Sequence, residues 1–241
     1  MRQKLWRVAE IAWCKAGRWL VQCPVCGWRF RSFRPAGVVA RRNARCPQCG
    51  SLERHRLQWL FLVARTDLFT RPRRVLHFAP ESCLRNRLLA SGSIEYLSVD
   101  LDGTDVSIRC DITALPFASG AFDVILCSHV LEHVSDDVAA LEELYRVLSD
   151  SGWAMLQVPI DPTRARTFED PRVREPSERE RLFGQADHMR AYGSDYPDRL
   201  RRAGFHVRTD RFADEQPPAL LALHAIEPEP IFVVGKPRRE S

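Results

Sequence analysis

This sequence of 241 residues lacks the features of several protein classes. No apolar run approaches the ~20 residues that a membrane-spanning helix needs, and charged residues interrupt the amino terminus too often for a signal peptide. A glycine-rich loop that would cradle phosphate groups is missing, which argues against nucleotide hydrolysis, and no internal repeat is found. We therefore expect a cytoplasmic globular protein whose eight cysteines are reduced thiols or metal ligands rather than disulfides.

Charge is divided unevenly along the chain. Residues 1–74 carry 17 Lys and Arg against 3 Asp and Glu, whereas the remainder carries 19 against 28. A basic segment joined to an acidic one suggests a negatively charged partner for the first part, whether nucleic acid, an anionic surface or the acidic domain itself.

Residues 3–20 have the periodicity of a helix, with Leu5, Val8 and Trp19 near one face and Arg7 and Arg18 off it. Such a helix can pack on its own protein, or it can be a basic amphipathic helix that contacts a membrane or nucleic acid.

Two short cysteine motifs follow, Cys23-Pro-Val-Cys26-Gly and Cys46-Pro-Gln-Cys49-Gly. Two residues between cysteines let both sulfurs reach one ion, and the glycine admits the bend that turns amide groups toward the thiolates. Two such turns complete a tetrahedral sulfur shell, which predicts a structural zinc ribbon; a redox pair and chance clustering are the alternatives. Because few apolar residues lie between 23 and 50, we expect the metal to supply much of the folding free energy.

Arginines and aromatic residues alternate between the two cysteine motifs. This combination is typical of a nucleic-acid surface, with arginines on phosphates and rings under bases. The alternative is a solvated face whose aromatic residues pack internally. The residues are Arg29, Arg31, Arg34, Arg41, Arg42 and Arg45 with Trp28, Phe30 and Phe33.

A helix is predicted from Ser51 to about Ala64, followed by a linker at residues 71–74. His55 in this helix is interpreted as a surface or packing residue, because four cysteines already satisfy zinc.

The stretch from Asp111 to Pro159 has the pattern of strand end, turn, strand, helix, turn, strand. Phe122–Cys127 is the apolar run of a buried parallel strand. Ser135 is expected to cap the next helix, whose apolar face runs from Val138 to Leu148, and Gly152 to stop it in the left-handed conformation. The next strand is expected at residues 153–158, after strands at 96–99 and just before Asp111.

These motifs resemble the class I methyltransferases that use S-adenosylmethionine, in particular the type 11 group. The resemblance rests on Asp111-x-x-x-Leu-Pro-Phe, Phe122-Asp-Val-Ile, Leu131-Glu-His and Arg146-Val-Leu in this order, and it covers roughly residues 73–236. It implies an α/β fold: a Rossmann-like, seven-stranded, mostly parallel sheet with helices on both faces, to which the small zinc ribbon is added. Cofactor would bind outside the carboxyl ends of the strands.

The first loop of this domain departs from the family pattern. Where the family has a glycine-rich loop behind an acidic residue, this chain has His77-Phe-Ala79-Pro-Glu81, similar to a methyltransferase subgroup with a cysteine-rich amino terminus. His77 and Ala79 are expected at the cofactor. Glu81 can hold the cofactor's ammonium group or merely cap the helix at residues 83–89.

Further cofactor residues are implied at the following strand ends. Asp100 matches the carboxylate that accepts hydrogen bonds from the ribose hydroxyls, with Asp102 as the alternative. Asp111 matches the position that accepts from the adenine amino group, beside the backbone amide of Ile112, and Ser128 ends the fourth strand.

Three histidines are candidates for contact with the methyl acceptor. His129 and His133 flank Glu132 where cofactor and acceptor would meet, and His188 ends a long charged segment. Each can act as a base or as a positioning group, and His188 can alternatively cap a helix. The segment 161–190 itself is predicted to be a lid.

The last part of the chain is expected to hold a helix from Ser194 to Gly204 and two strands at residues 205–209 and 231–234, with an irregular connection between these strands. The predicted organisation is a helix at 1–22, a zinc ribbon at 23–50, a connection at 51–72 and a methyltransferase domain at 73–241. The predicted function is methyl transfer from S-adenosylmethionine to RNA or to a small metabolite, sugar or lipid. The alternative is a non-catalytic, nucleic-acid-binding zinc ribbon beside a degenerate methyltransferase domain.

Overall fold

The structure is a computed structural model that describes residues 20–37 and 39–237. The helix predicted at residues 3–20 therefore lies outside the described residues, except for Leu20. The chain divides into two compact units. Of the described residues, the first unit comprises 20–37, 39–71, 81–94 and 211–230, and the second comprises 72–80, 95–210 and 231–237.

The helices and strands are numbered here in chain order. The helices are α1 Glu53–Arg65, α2 Ser82–Leu89, α3 Asp137–Val147, α4 Pro176–Phe183, α5 Tyr196–Arg202 and α6 Pro218–His224. The strands are β1 Val21–Gln22, β2 Arg29–Phe30, β3 Arg34–Ala36, β4 Arg41–Arg45, β5 Arg73–Phe78, β6 Ile94–Asp100, β7 Ile108–Arg109, β8 Phe122–Ser128, β9 Leu148–Gln157, β10 Phe168–Glu169, β11 Arg190–Ala191, β12 His206–Asp210 and β13 Ile231–Gly235. Short 3-10 helices lie at Leu131–His133 and Phe212–Glu215.

The first unit is built on two antiparallel strand pairs, β1 with β2 and β3 with β4. Its core includes Phe30, Phe33, Trp59 and Leu84, together with the cysteine sulfurs. Further buried apolar residues of this unit, among them Leu57, Phe61 and Leu62, lie on α1. The cluster around the sulfurs is small, and clusters of this size usually depend on a metal or another cross-link.

The second unit is organised around a seven-stranded sheet in the order β12-β13-β9-β8-β5-β6-β7. Strands β5, β8 and β9 run parallel, as do β6 and β7, whereas β13 is antiparallel to both of its neighbours. The central strand β8 is buried from Val124 to Cys127, because a parallel strand is covered on both faces. This confirms the predicted seven-stranded, mostly parallel α/β fold.

Helices α3 and α5 complete the core of this unit. Leu141 and Leu144 of α3 and Tyr196 and Leu200 of α5 are buried in the same cluster as the strand residues. The apolar face predicted for α3 is correct at residues 141 and 144 and wrong at Val138, whose side chain is exposed in the first turn of the helix.

Two expectations about the ends of α3 are wrong. Asp136, not Ser135, is the N-cap, since its carboxylate accepts a hydrogen bond from the Ala139 amide at 3.0 Å. Gly152 does not end the helix but lies within β9. A glycine is needed there because a Cβ would lie 2.8 Å from the Asp123 carbonyl oxygen of the neighbouring strand.

The segment between the last two strands is not irregular as expected. It contains the 3-10 helix Phe212–Glu215 and helix α6. Pro218 occupies the first turn of α6, where its fixed φ angle and missing amide hydrogen suit a helix start, so the prolines mark where this helix begins. The predicted lid region, 161–190, likewise has structure of its own, β10 and α4.

Candidate functional site

A cavity of about 510 Å³ opens in the second unit at the carboxyl ends of the parallel strands. Its lining residues follow β5, β6, β7 and β8 and include the segment that leads into α3. This size and this position are those of ligand sites in open α/β sheets. Of the residues predicted from sequence, the cavity brings together Ala79, Asp100, Asp111, Ile112, His129 and His133.

Asp100 stands at the end of β6 and shapes the turn that follows. Its Oδ1 accepts hydrogen bonds from the amides of Asp102 at 3.0 Å and Gly103 at 3.1 Å. A Cβ on Gly103 would lie 2.8 Å from the Asp100 Cβ, so only glycine lets the turn fold back over this carboxylate. Gly103 thus shapes the turn that holds Asp100, and the sequence analysis did not identify it, although the Asp-x-x-Gly spacing is a turn signal.

Asp111 begins the turn after β7. Its Oδ1 accepts hydrogen bonds from the amide and the hydroxyl of Thr113, both at 2.8 Å. Ile112 beside it is buried, while the Asp111 side chain is exposed. The turn therefore holds one exposed carboxylate and one apolar wall at the cavity, a combination that suits a flat ring with a polar edge.

Two non-glycine residues that line the cavity have left-handed backbones. Ala79 has φ = 42° directly after β5, and His129 has φ = 55° directly after β8. Backbone hydrogen bonds hold both conformations, from the Ala79 amide to the Val99 carbonyl and from the His129 amide to the Gln157 carbonyl, each at 2.8 Å. Such backbones cost about 1–3 kcal/mol each and concentrate at functional sites. Ala79 thus adopts the backbone conformation that glycine favours.

The other predicted cofactor residues lie elsewhere. His77 is buried within β5, and its Nδ1 lies 3.0 Å from the Tyr96 hydroxyl. Ser128 is the buried last residue of β8. Glu81 is a residue of the first unit, where its carboxylate lies 3.4 Å from His55 Nε2. These three residues are not among those that line the cavity.

The three candidate histidines are brought together. His129 Nδ1 lies 3.0 Å from Oε1 of the buried Glu132, and His133 Nδ1 lies 3.1 Å from an Asp187 carboxylate oxygen. His133 and His188 pack edge to face with ring centroids 4.8 Å apart. Nδ1 of the buried His188 lies 3.0 Å from the Phe183 carbonyl oxygen. Unlike the other two histidines, His188 does not line the cavity.

Arg190 connects the 161–190 segment to these residues, and the sequence analysis did not single it out. Its buried guanidinium donates to the carbonyl oxygens of Leu131, Val134 and Ser135. The neighbouring Met189 lines the cavity, and its amide donates to the Glu132 carbonyl at 2.7 Å. Arg190 is therefore a positioning residue for the loop that carries Glu132.

In the first unit, the sulfurs of Cys23, Cys26, Cys46 and Cys49 all lie within 4.8 Å of one another. The distance from Cys23 to Cys49 is 3.6 Å and that from Cys26 to Cys46 is 3.8 Å, and sulfurs at tetrahedral zinc lie about 3.8 Å apart for a Zn–S bond of about 2.3 Å. These donors therefore fit a structural zinc ion.

Both cysteine turns have the backbone that the glycines were expected to permit. Gly27 and Gly50 have φ of 78° and 76°. Their amides donate to the carbonyls of Cys23 at 2.8 Å and Cys46 at 3.0 Å.

Arg56 lies fully buried beside this cluster. Its guanidinium donates to five carbonyl oxygens and lies 4.4 Å from the centre of the Phe33 ring. Burial lowers the pKa of Arg56, whereas the charges of Cys23, Glu53, Cys46 and Cys49 act in the opposite direction. Arg56 thus places a positive charge near a cluster that would carry net negative charge around zinc. The five carbonyls belong to Asn43, Ala44, Ser51, His224 and Ala225.

The arginines between the cysteine turns are mostly exposed, but the aromatic residues divide. Phe30 and Phe33 are core residues, while Trp28 is 39% exposed. Arg41 pairs with Glu53 at 3.1 Å, so its charge is partly neutralised. Four other basic residues of this segment are exposed and form no ion pair with the residues that the structure describes: Arg29, Arg31, Arg42 and Arg45.

Fold and cavity together define an α/β protein of the Rossmann-like class with an open cavity at its strand ends. Residues 85–156 match a family described as "Methyltransferase domain". The ubiquinone/menaquinone biosynthesis C-methyltransferase UbiE of Xanthomonas oryzae pv. oryzae is 45% identical over 47 residues, which are 20% of this chain and 19% of that protein. The uncharacterized protein YafS of Escherichia coli K12 is 37% identical over 60 residues, 25% of each chain. This chain thus spans only about a fifth to a quarter of the curated relatives that it matches.

Solved structures are similar over a larger part of the chain. An S-adenosylmethionine-dependent methyltransferase from Mesorhizobium loti is 19% identical, covers 73% of this chain and 96% of its own, and has a TM-score of 0.49. The YcgJ protein of Bacillus subtilis is 16% identical, covers 77% of this chain and 100% of its own, and has a TM-score of 0.48. Within residues 20–37 and 39–237, no helix has the length and apolar character to cross a membrane.

Proposed function

We propose that this protein is a methyltransferase that uses S-adenosylmethionine. The observation that carries the proposal is the cavity of about 510 Å³ whose walls hold Asp100 at the end of β6 and Asp111 after β7. The match of residues 85–156 to a methyltransferase domain supports it. Bound cofactor would supply a methyl group on a positively charged sulfur.

Each residue then has a defined task. Asp100 accepts hydrogen bonds from the ribose hydroxyls, Asp111 accepts from the adenine amino group, and the buried Ile112 packs on the ring. The left-handed backbone of Ala79 brings the main chain close to the methionine part of the cofactor, as a glycine would. His129, which lines the cavity and is oriented by Glu132, contacts the acceptor.

Calorimetric titration with S-adenosylmethionine and S-adenosylhomocysteine tests this proposal. Wild-type protein should bind both ligands, and Asp100→Ala and Asp111→Ala should each weaken binding about tenfold or more, since a charge-assisted hydrogen bond is worth roughly 1.5–3 kcal/mol. Asp102→Ala is the matched control: it removes a neighbouring exposed carboxylate that does not line the cavity. The Asp102→Ala variant should bind both ligands with the affinity of the wild type.

The same titration distinguishes the alternative of a non-catalytic binding protein. Folded wild-type protein without measurable affinity for either ligand would reject the methyltransferase, and equal losses in Asp100→Ala and Asp102→Ala would reject the assigned site.

For the acceptor, we infer that RNA is favoured over an uncharged metabolite. The exposed arginines of the first unit and the exposed Trp28 support this, since basic groups bind phosphates and aromatic rings stack on bases. RNA binding measured at two salt concentrations tests it. Replacing four exposed arginines of the first unit by Gln should reduce the affinity for RNA and its dependence on salt. Replacing four exposed arginines of the second unit by Gln removes the same charge and serves as the control. The first set is Arg29, Arg31, Arg42 and Arg45, and the control set is Arg172, Arg174, Arg201 and Arg202.

Equal losses in the two sets would show that the effect is only one of net charge. No affinity for RNA in the wild type would leave a small metabolite as the acceptor.

We also propose that Cys23, Cys26, Cys46 and Cys49 hold a structural zinc ion. The sulfur distances and the closed ligand shell support this proposal. Elemental analysis should find one zinc per chain that is lost in Cys49→Ser, and iron or no metal in the wild type would reject the proposal.

A further inference from the structure

A second cluster of metal-binding side chains lies in the second unit, away from the cysteines. Glu132, His133 and His188 each offer one ligand atom, and these atoms lie within 4.8 Å of one another. We propose that they form a binding site for a divalent transition-metal ion. Binding of the ion does not depend on the proposed methyltransferase activity; only its use in that reaction would.

Two unsatisfied polar atoms point to a missing ligand. Among the residues that the structure describes, Glu132 Oε2 and His188 Nε2 find no hydrogen-bond partner, and both are buried, in residues that are 1% and 4% exposed. A buried polar atom left unpaired costs roughly 1–3 kcal/mol. One positively charged ion between them would accept an electron pair from both.

The outer nitrogens of the two histidines are already used. His188 Nδ1 lies 3.0 Å from the Phe183 carbonyl oxygen, and His133 Nδ1 lies 3.1 Å from an Asp187 carboxylate oxygen. In metal sites a ligating histidine typically donates its other N–H to a carbonyl or a carboxylate, which fixes the ring and directs the free nitrogen to the metal. Both histidines have this arrangement, which leaves Nε2 for an ion.

Glu132 is held in a similar way. Its Oε1 lies 3.0 Å from His129 Nδ1, while Oε2 has no hydrogen-bond partner within residues 20–37 and 39–237. The loop that carries Glu132 is fixed by Arg190 and by the amide of Met189, so the carboxylate is preorganised. Ligands on two separate segments, 132–133 and 188, are thereby brought to one point.

The ligand chemistry indicates which ion fits. Two imidazoles and one carboxylate suit Zn²⁺, Co²⁺ or Mn²⁺ better than Ca²⁺ or Mg²⁺, which prefer oxygen. Three protein ligands leave a position open, as catalytic rather than structural sites do. The His133 side chain is 36% exposed and lines the cavity, so the open position would be reached from there.

Binding of Mn²⁺ to protein loaded with a single equivalent of zinc, which the four cysteines take up first because thiolates favour zinc, tests the site when it is followed by the electron paramagnetic resonance signal of free Mn²⁺. Zinc already held by the cysteines keeps that site out of the titration, and thiolates do not favour Mn²⁺. One Mn²⁺ per chain is expected, with Co²⁺ binding more tightly in a parallel titration. Glu132→Gln and His188→Gln should weaken binding at least tenfold.

The buried variants can lose stability, so His133→Gln supplies the decisive comparison. Its side chain is partly exposed, and it should fold normally while binding Mn²⁺ at least tenfold more weakly. His206→Gln, an exposed histidine on β12, is the matched control and should bind like the wild type.

The inference is overturned if zinc-loaded wild type binds neither Mn²⁺ nor Co²⁺, or if His133→Gln and His206→Gln bind equally well. Titration of the same samples with S-adenosylmethionine separates this outcome from failure of the proposed function. Metal binding without cofactor binding would retain the site and reject the methyltransferase, and the reverse result would retain the methyltransferase alone.

Discussion

At the scale of single residues, the cavity depends on positive φ angles at residues other than glycine, which the amino-acid types alone do not indicate. Ala79 occupies the left-handed region at φ = 42° where the resembling family has glycine. Ala79 therefore gives the main chain of this loop the path that a glycine would give it. The loop remains compatible with close approach of a ligand although it has no glycine at this position.

Replacements at Ala79 should show how much its positive φ angle costs in stability. Ala79→Gly relieves backbone strain in the folded state but adds conformational entropy to the unfolded chain. Because these effects oppose each other, the free energy of unfolding should change by less than about 1 kcal/mol. Ala79→Val should lower it by about 2 kcal/mol, because a β-branched residue is strongly disfavoured at positive φ. Urea denaturation measures both changes. Ala118→Val, at an exposed position, is the control, and an Ala79→Val variant as stable as this control would contradict the argument.

A methyl group at Gly103 should act on the cofactor through Asp100. In Gly103→Ala the new Cβ would lie 2.8 Å from the Asp100 Cβ and 3.2 Å from a Val106 methyl group, so the turn or the carboxylate must shift. We expect affinity for S-adenosylhomocysteine to fall about tenfold, since a displaced carboxylate loses a charge-assisted hydrogen bond. Calorimetry measures this. Gly92→Ala, with open space around its Cβ, should bind normally; unchanged affinity in Gly103→Ala would show that the turn adapts.

At the scale of elements, an ion pair joins the starts of the neighbouring strands β5 and β8. Arg74 donates to both carboxylate oxygens of Asp123, at 3.1 and 3.0 Å, and its amide donates as well, at 3.0 Å. The hydrogen bond from the Arg74 side chain holds the pKa of Asp123 below its usual value, and burial opposes it. The charged groups that face Asp123 are Arg74 and Arg73.

This pair should make stability depend on pH in a defined direction. A lowered folded-state pKa means that stability is fully present above the unfolded value of about 3.9 and is lost as pH falls through the lower folded-state pKa. Asp123→Asn should therefore be less stable than wild type near pH 6, and the difference should disappear in strong acid. Urea denaturation at a series of pH values measures it. Asp150→Asn, whose carboxylate is 81% exposed, is the control; a constant difference for Asp123→Asn across this range would contradict the assignment.

At the scale of the whole molecule, the two units should respond differently to loss of metal. The cysteine turns of the first unit pack on a small apolar cluster, and structural zinc sites contribute roughly 10–16 kcal/mol in isolated zinc-finger peptides. A strong chelator should therefore increase amide hydrogen exchange in the two cysteine turns, residues 23–27 and 46–50, while exchange in β8 and β9 of the second unit should change little.

Two cysteine variants refine this experiment. Cys49→Ser should lose zinc and show the same rapid exchange. Cys83→Ser should keep zinc, because Cys83 is outside the four-sulfur cluster and burial raises the pKa of its thiol to about 12, which keeps it neutral. Zinc loss in Cys83→Ser, or protection retained in the chelated protein, would contradict a metal-dependent core.

Sequence reasoning worked where short spacing determines geometry. A pair of cysteines separated by two residues forms a turn, so the clustering of the four sulfurs could be predicted from the two pairs. The order of strands and turns likewise predicted Asp100 and Asp111 at the same edge of the sheet. The sheet itself followed from apolar runs such as Phe122–Cys127. Each of these features depends on residues that are close in sequence.

Features that depend on distant backbone atoms were not predictable. Arg56 and Arg190 bind main-chain carbonyls, which carry no signature of residue type, and some of these carbonyls lie 168 and 169 positions from Arg56. Helix α6 was missed because its prolines were interpreted as breaking regular structure, although proline also begins helices. The start of α3 was misplaced by one residue because Ser135 and Asp136 are both good caps.

The contacts of Arg56 with His224 and Ala225 also bear on the order in which the protein can fold during synthesis. The ribosome makes residues from the amino terminus onward, so the cysteine turns emerge early and can take up metal while the chain is still growing. The carbonyls of residues 224 and 225 leave the ribosome only after nearly all of the second unit's chain has been made. The first unit is therefore completed only after most of the second unit has been made, and a chain that ends before residue 224 would leave the Arg56 guanidinium without two of its five carbonyl acceptors.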